Sequence, residues 1–478
     1  MHGQDLTQGR LMPQMWSLAW PVMLSIFFQT LYNAVDAFWV SKLAPEAIAA
    51  VSISQITLFI MVSLSMGITV GSGVLMAMSI GRRDIAEAER VLGQSFLLSA
   101  IAGVIFTAIS LSFRTQLLVA SGATGSILPL ALQYFTWVSG GSILVFLMFS
   151  VVFAFSSQGD NKTVTVLFVI STIINAALNP VMIFGWLGFP ALGISGSALA
   201  TLLAQLMVFV AGLVILKRAR MMVALKWSRL RIRWAAVREV LNIGFPAALT
   251  NVIGPLSLSL LTLIISSRFQ EAGAISFSIG FRVEFFAYLP AIGFGIAAMA
   301  IMGQSTGARN FDRVRAAYRS ALVWGFGIAT LFGLLVAAFS NQIIGVFTKD
   351  PRVNEYARAY FLTIPFTYGL YAMMNVEISS LQGMGRSWPG FLLTLIRVAV
   401  AIPAAYLLLH PLNQPLRAAW IALAGTNLIV AFAGYWWVRA TIDSLAAHSP
   451  VWAVQPSVAG EAVLDGSEPV EEEAVSGD

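Results

Sequence analysis

The 478-residue sequence contains no cysteine, which excludes disulfide staples, thiolate metal sites and thiol catalysis. Its three histidines, His2, His410 and His448, fall at the chain ends or in an expected loop, so no histidine cluster exists. Charge is equally scarce: Asp, Glu, Lys and Arg make up 10% of the residues, against about a quarter in a soluble domain. Apolar residues make up 58%, too many for the polar remainder to cover a globule of this length. Lipid must therefore solvate much of the surface. The 39 Gly and 18 Pro fit that reading, since spanning helices tolerate both. No nucleophile–base pair or phosphate loop stands out, and "GSG" at 71–73 lies inside an apolar run. The expectation is a protein that is not an enzyme and has no cofactor.

What the chain does have is long apolar runs, and a run of about 20 residues crosses a bilayer as a helix. Twelve are found, near 14–41, 46–78, 91–113, 126–156, 163–187, 191–216, 235–267, 271–304, 316–342, 356–382, 388–409 and 417–439. The first is too long for a signal-peptide core and lacks a small-residue cleavage site, so it reads as a retained span. With the N-terminus inside, nineteen basic residues lie on the inner side and seven on the outer, with Arg282 and Arg397 within spans. This asymmetry places both termini in the cytoplasm. The net charge of +6 sits in short loops and signals no nucleic-acid partner, and the stretch Val451 to Asp478 holds no Lys or Arg. The expected organisation is a cytoplasmic N-terminus (1–13), a six-helix bundle (14–216), a basic linker (217–234), a second six-helix bundle (235–440) and an acidic, disordered tail (441–478).

The two halves repeat weakly at an offset of about 225 residues. Pro21 matches Pro246. Gly81 and Asp84 of "AMSIGRRDIAEAER" match Gly307 and Asn310 of "IMGQSTGARNFDRVRA". Gln158 and Gly159 of "SSQGDNK" match Gln382 and Gly383 of "SLQGMGR". An even number of spans per repeat makes the repeats parallel, an architecture of transporters that rock two halves about a substrate.

Residues that the duplication does not copy are candidates for a site used once. Asp36 is one, because its counterpart near Leu261 or Thr262 is uncharged, and a carboxylate within a span is costly. Asn33, Tyr32 and Gln29 share its helical face. The fifth span offers Thr172, Asn175 and Asn179, and the sixth Ser197, Thr201 and Gln205. Facing one another, these stripes would hydrate a small chamber where Asp36 exchanges a proton or Na⁺. The alternative puts Asp36 at the outer interface, bonded to water or Lys42. In the second half Arg282, Glu284, Glu377 and Arg397 are also unduplicated. They form a buried ion-pair network that holds helices together, or else Glu284 or Glu377 is a second titrating site or a counter-charge for a cationic substrate. Pro21 reads as a kink common to both bundles, and Pro180, beside Asn179, as a candidate hinge.

Taken in order, "WPVMLSIFFQTLYNAVDAFWVSKLAPEAIAAVS" (20–52), "FRVEFFAYLPAIGFGIAAMAIMGQSTGARN" (281–310) and "LQGMGRSWPG" (381–390) resemble the multidrug and toxic compound extrusion (MATE) family, in its prokaryotic DinF-like branch. The resemblance implies an all-α membrane protein, a V-shaped pair of six-helix bundles that expels cationic or amphipathic compounds in exchange for H⁺ or Na⁺. It also implies residence in the bacterial inner membrane and action as a monomer. The family's first-span carboxylate falls on Asp36, its bending proline on Pro21 and its fifth-span Asn on Asn175. The next family position, usually Asp, is Asn179 here, which removes one of two acids and favours H⁺ over Na⁺ at Asp36. The alternative within the same superfamily is a flippase for a lipid-linked or polysaccharide precursor.

Overall fold

The computed structural model describes residues 3–218, 221–226 and 233–448. All regular structure among them is helical, as it must be where lipid offers the backbone no hydrogen-bond partner. The first half comprises α1 (Leu11–Ser41), α2 (Pro45–Gly81), α3 (Ile85–Ser112), the short α4 (Arg114–Ala120), α5 (Ile127–Gly140), α6 (Ser142–Ser157), α7 (Asn161–Phe184) and α8 (Ile194–Arg218). The second comprises α9 (Trp234–Gly307), α10 (Phe311–Ala338), the short α11 (Ser340–Phe347), α12 (Pro351–Phe361), α13 (Tyr368–Gly383), α14 (Ser387–Leu409) and α15 (Leu416–Ala447).

Nine of these helices are long and apolar enough to cross a bilayer, and α5 with α6, bent by 49° at Gly141, adds a tenth. The remaining two come from α9 and from α12 with α13. At 1.5 Å per residue, 74 residues would make a rod of about 111 Å. Yet Val240 and Gln304 both touch the last turns of α2, at Gly71 and Gly81. The chain therefore doubles back, and the reversal is at Gln270, the one non-helical residue in α9 (φ 54°, ψ −150°). The expected loop between the seventh and eighth spans shrinks to that residue, and the two arms, 234–269 and 271–307, each cross once. The tenth span is α12 joined to α13 through a 3-10 turn at Ile364–Thr367. Among the described residues the chain thus crosses twelve times, six times in each half.

The repeat is visible in backbone detail. Arg83 and Arg309 both take positive φ (60° and 56°). The next residues, Asp84 and Asn310, cap α3 and α10 by accepting from the N–H three residues on, Glu87 and Arg313. The third anchor needs correction by two residues. Gly159, at φ 76° before α7, is matched by Gly385, at φ 75° before α14, and not by Gly383. Gly383 is helical and small for another reason: it lies against the Met299 backbone.

The halves meet at the end that carries both termini and diverge towards the other, giving a V. Close approach at the vertex depends on glycine, as helix contacts in membranes often do. A Cβ on Gly71 would strike the Val240 carbonyl, one on Gly81 the Gln304 carbonyl, and one on Gly307 the Met78 carbonyl. Gln304 Nε2 donates to Ser157 O at 3.0 Å, and its Oε1 accepts from Leu6 N at 2.9 Å. The N-terminal segment is docked here: Leu6 is fully buried, and Arg313 donates to the carbonyls of Leu6, Gln8 and Gly9. Among the described residues, every hydrogen bond and ion pair between the halves lies at this end. α15 continues to Ala447, so the tail expected from 441 is helical in its first turns, because that stretch extends the apolar face of the helix. The tail from 449 and residues 219–220 and 227–232 of the basic linker lie outside the described residues.

Candidate ion-coupling site

Asp36 lies on α1 and is 6% exposed. Its Oδ1 accepts from Ser197 Oγ of α8 at 2.8 Å, and the Asn179 side chain of α7 is within hydrogen-bonding reach. Asn179 Nδ2 donates to both the carbonyl and the Oδ1 of Asn175, at 3.1 Å each. Tyr32 OH donates to Thr201 O at 3.3 Å. Three helices expected to supply polar stripes therefore do converge, around one carboxylate.

The convergence follows from local sequence. Pro21 lacks an N–H and interrupts the α1 ladder; its carbonyl accepts Thr165 Oγ1 of α7 at 2.7 Å, and Asn161 Nδ2 donates to Leu18 O at 3.1 Å. Higher up, Thr172 Oγ1 lies 3.2 Å from Phe28 O. These bonds zip α1 to α7. At its far end α7 carries Pro180, next to Asn179, where the missing N–H again loosens the helix.

Several oxygen and nitrogen atoms along these stripes are buried without partners: Asn179 Oδ1, Asn175 Nδ2 and Thr201 Oγ1, with Gln205 Oε1 about two turns past Ser197 along α8. Lys42 does not reach Asp36 but stacks over Phe38, 5.1 Å from the ring centre. The carboxylate thus has neutral partners only. Gln29 and Asn33, on the same stripe of α1, stay exposed and do not join the cluster. Tyr134 does join it. It sits on α5, is 2% exposed, and lies in the neighbourhood of Asp36 and Tyr32. Its sequence signal was only a hydroxyl in an apolar run, a group that seeks a partner when buried; nothing in the spacing ties α5 to α1.

In the second half, Glu284 on the second arm of α9 accepts from Tyr288 OH at 2.5 Å and from Tyr360 OH. Arg397 Nε on α14 donates to Asn427 Oδ1 at 2.8 Å. Glu377 on α13 is fully buried with neither oxygen partnered, its carboxyl against Gly434. Arg282 is exposed. These four residues do not form the expected ion-pair network, because tyrosines and an amide take the places that opposite charges would need. Among the described residues no group of three or more His, Asp or Glu could hold a metal ion.

The sequence profile of MatE matches residues 21–181 and 246–407, one segment in each half. The chain belongs to the MatE family. MatE relatives cover nearly the whole chain. A probable multidrug resistance protein, YoeA, of Bacillus subtilis (strain 168) is 24% identical over 91% of this chain and 96% of its own length. An FAD transporter of Shewanella oneidensis is 27% identical over 88% and 92%. A crystal structure of a MATE protein in the straight conformation superposes with a TM-score of 0.86 at 26% identity, covering 93% of this chain and 99% of the other. Like other MatE members, the chain is a multi-pass membrane transporter and not an enzyme.

Proposed function

We propose that the chain is a proton-coupled antiporter of the bacterial inner membrane that exports small organic cations or amphipaths by alternating access, with Asp36 as the group that carries the coupling ion. The observation that carries this reading is a buried carboxylate whose partners are neutral side chains, Ser197 and Asn179. An anion so placed needs a counter-charge, and one that comes and goes couples its exchange to the opening of the bundle. One acid with amide and hydroxyl neighbours suits a proton; the position where a second acid would strengthen Na⁺ binding is Asn179. With the vertex at the end bearing the termini, taken as cytoplasmic from the distribution of basic residues, we read the state as outward-open, and the chain as acting as a monomer. A flippase cargo with a lipid-linked pyrophosphate asks for a cationic cleft, and Arg282 and Arg397 are the only cations well inside the spans.

The test is efflux of a fluorescent organic cation from proteoliposomes under an imposed pH or Na⁺ gradient, for the natural chain and Asp36→Asn. Transport driven by the pH gradient and abolished by the substitution is expected. Transport that survives Asp36→Asn would sink the assignment, and a Na⁺ gradient as the sole driver would replace the proton.

A further inference from the structure

A chamber away from Asp36 lies inside the second bundle, between its helices. It has a volume of about 250 Å³, with walls from both arms of α9 and from α12, α13, α14 and α15. Part of its lining is apolar: Leu258, Leu261, Phe277, Phe281, Ala401 and Ile402. The rest of the lining is polar and aromatic, with Glu284, Tyr288, Tyr360, Tyr371, Arg397 and Asn427. There, Tyr288 and Tyr371 stack at 4.2 Å between ring centres, and the Arg397 guanidinium lies over Tyr371 at 5.1 Å.

Arg397 is held from two sides. Asn427 Oδ1 occupies its Nε, and Tyr371 covers its face. Its two Nη atoms meet no acceptor among the described residues. Glu284 lines the same chamber near enough to feel the charge of Arg397 but makes no ion-pair contact with it; both Glu284 oxygens are taken by the hydroxyls of Tyr288 and Tyr360. A guanidinium midway along a spanning helix is costly unless an anion meets it. The edge that remains open is the planar fork that matches a carboxylate in a two-bond contact.

We infer that this chamber is a ligand site for a small aromatic monocarboxylate, whose acid group sits on the Arg397 Nη edge and whose ring lies against Phe277 and Phe281. The volume falls just below the usual range for ligand pockets, roughly 300–1,000 Å³, and so selects a one- or two-ring acid over a larger conjugate. This site adds an acid-binding function to the transporter and does not involve Asp36.

The test uses the purified full-length chain in nanodiscs, without a gradient, and follows saturable binding of 2-naphthoate by its fluorescence, with neutral 2-naphthamide and cationic 2-naphthylmethylamine as controls. Saturable binding of the acid alone is expected. Arg397→Lys, which keeps the charge but loses the fork, should weaken it by about ten-fold or more. Ala401→Leu, which adds bulk to the chamber's apolar lining and keeps the guanidinium itself, should weaken it too, so that a folding defect in the arginine variant is not mistaken for the effect. No saturable binding of 2-naphthoate by the natural chain overturns the inference. So does equal binding of 2-naphthamide, which would make the site merely apolar, or preference for the amine, which would make Glu284 the anchor. Because no gradient is applied, failure here leaves the Asp36 efflux result as it stands.

Discussion

Ser197 on α8 donates its hydroxyl to the carboxylate of Asp36 on α1 across 2.8 Å, and no cation stands in its place. A neutral donor favours the charged carboxylate without cancelling it. Removing that donor in Ser197→Ala favours the protonated form, so the midpoint of the pH profile of efflux moves to higher pH while transport persists. The comparison is the efflux rate across a pH series in both proteins. An unmoved midpoint would mean that the hydroxyl does not act on the coupling group.

Asn179 bears on ion choice. Its Oδ1 is buried without a partner beside Asp36, and Thr201 Oγ1 is likewise free. Asn179→Asp would add a second carboxylate to these oxygens, and two acids sharing a site bind a cation that one acid holds weakly. The expected outcome is efflux that an inward Na⁺ gradient drives in the variant and not in the natural chain. If both respond alike to Na⁺, the site already binds it with a single acid.

How much of this was legible beforehand differs between fold and site. Apolar length reveals spans because the bilayer imposes one thickness on all of them. It could not reveal that Gln270 alone turns α9 back on itself, since a positive φ at Gln is set by tertiary context rather than by propensity. At the site, helical spacing grouped Asp36 with Tyr32, and Ser197 with Thr201, correctly. The same spacing also included Gln29 and Asn33, which point away, because a stripe fixes a face but not how far along it the neighbouring helix reaches. Tyr134 and the tyrosines around Glu284 were invisible for a related reason. An aromatic residue in an apolar run reads as lipid-facing until the bundle shows which hydroxyls turn inward.

The vertex predicts a different kind of sensitivity. Gly307 lies so close to the Met78 carbonyl that any side chain must push the helices apart. Gly307→Val should destabilise the closed end by about 1–3 kcal/mol, the usual penalty of overpacking. Thermal unfolding in detergent should show the loss. Spin labels at the termini of α2 and α9 should show a wider separation. Gly327 on α10, with open space beside it, is the control, and Gly327→Val should do neither.

The docked N-terminal segment is the last point at which geometry implies behaviour. Arg313 on α10 holds three successive stretches of it, donating to the carbonyls of Leu6, Gln8 and Gly9 and to Gln14 Oε1. Leu6 is at the same time bonded to Gln304, which reaches across to Ser157 of the other half. One arginine and one glutamine thus tie a segment that begins in one half to the floor of both. Charged donors to backbone carbonyls are each worth roughly 1.5–3 kcal/mol when partly buried. Arg313→Ala should therefore release residues 3–10 and weaken the closure of this end relative to the alternative state. Hydrogen exchange reads the first effect as faster exchange at Leu6 and its neighbours. The second should appear as raised labelling of a cysteine placed at Ala77, which faces Gly303 across the vertex in a chain with no native thiol to interfere. If exchange accelerates but labelling does not, the segment is a passenger on the vertex; if both rise together, it is one of the bolts that keep this end shut.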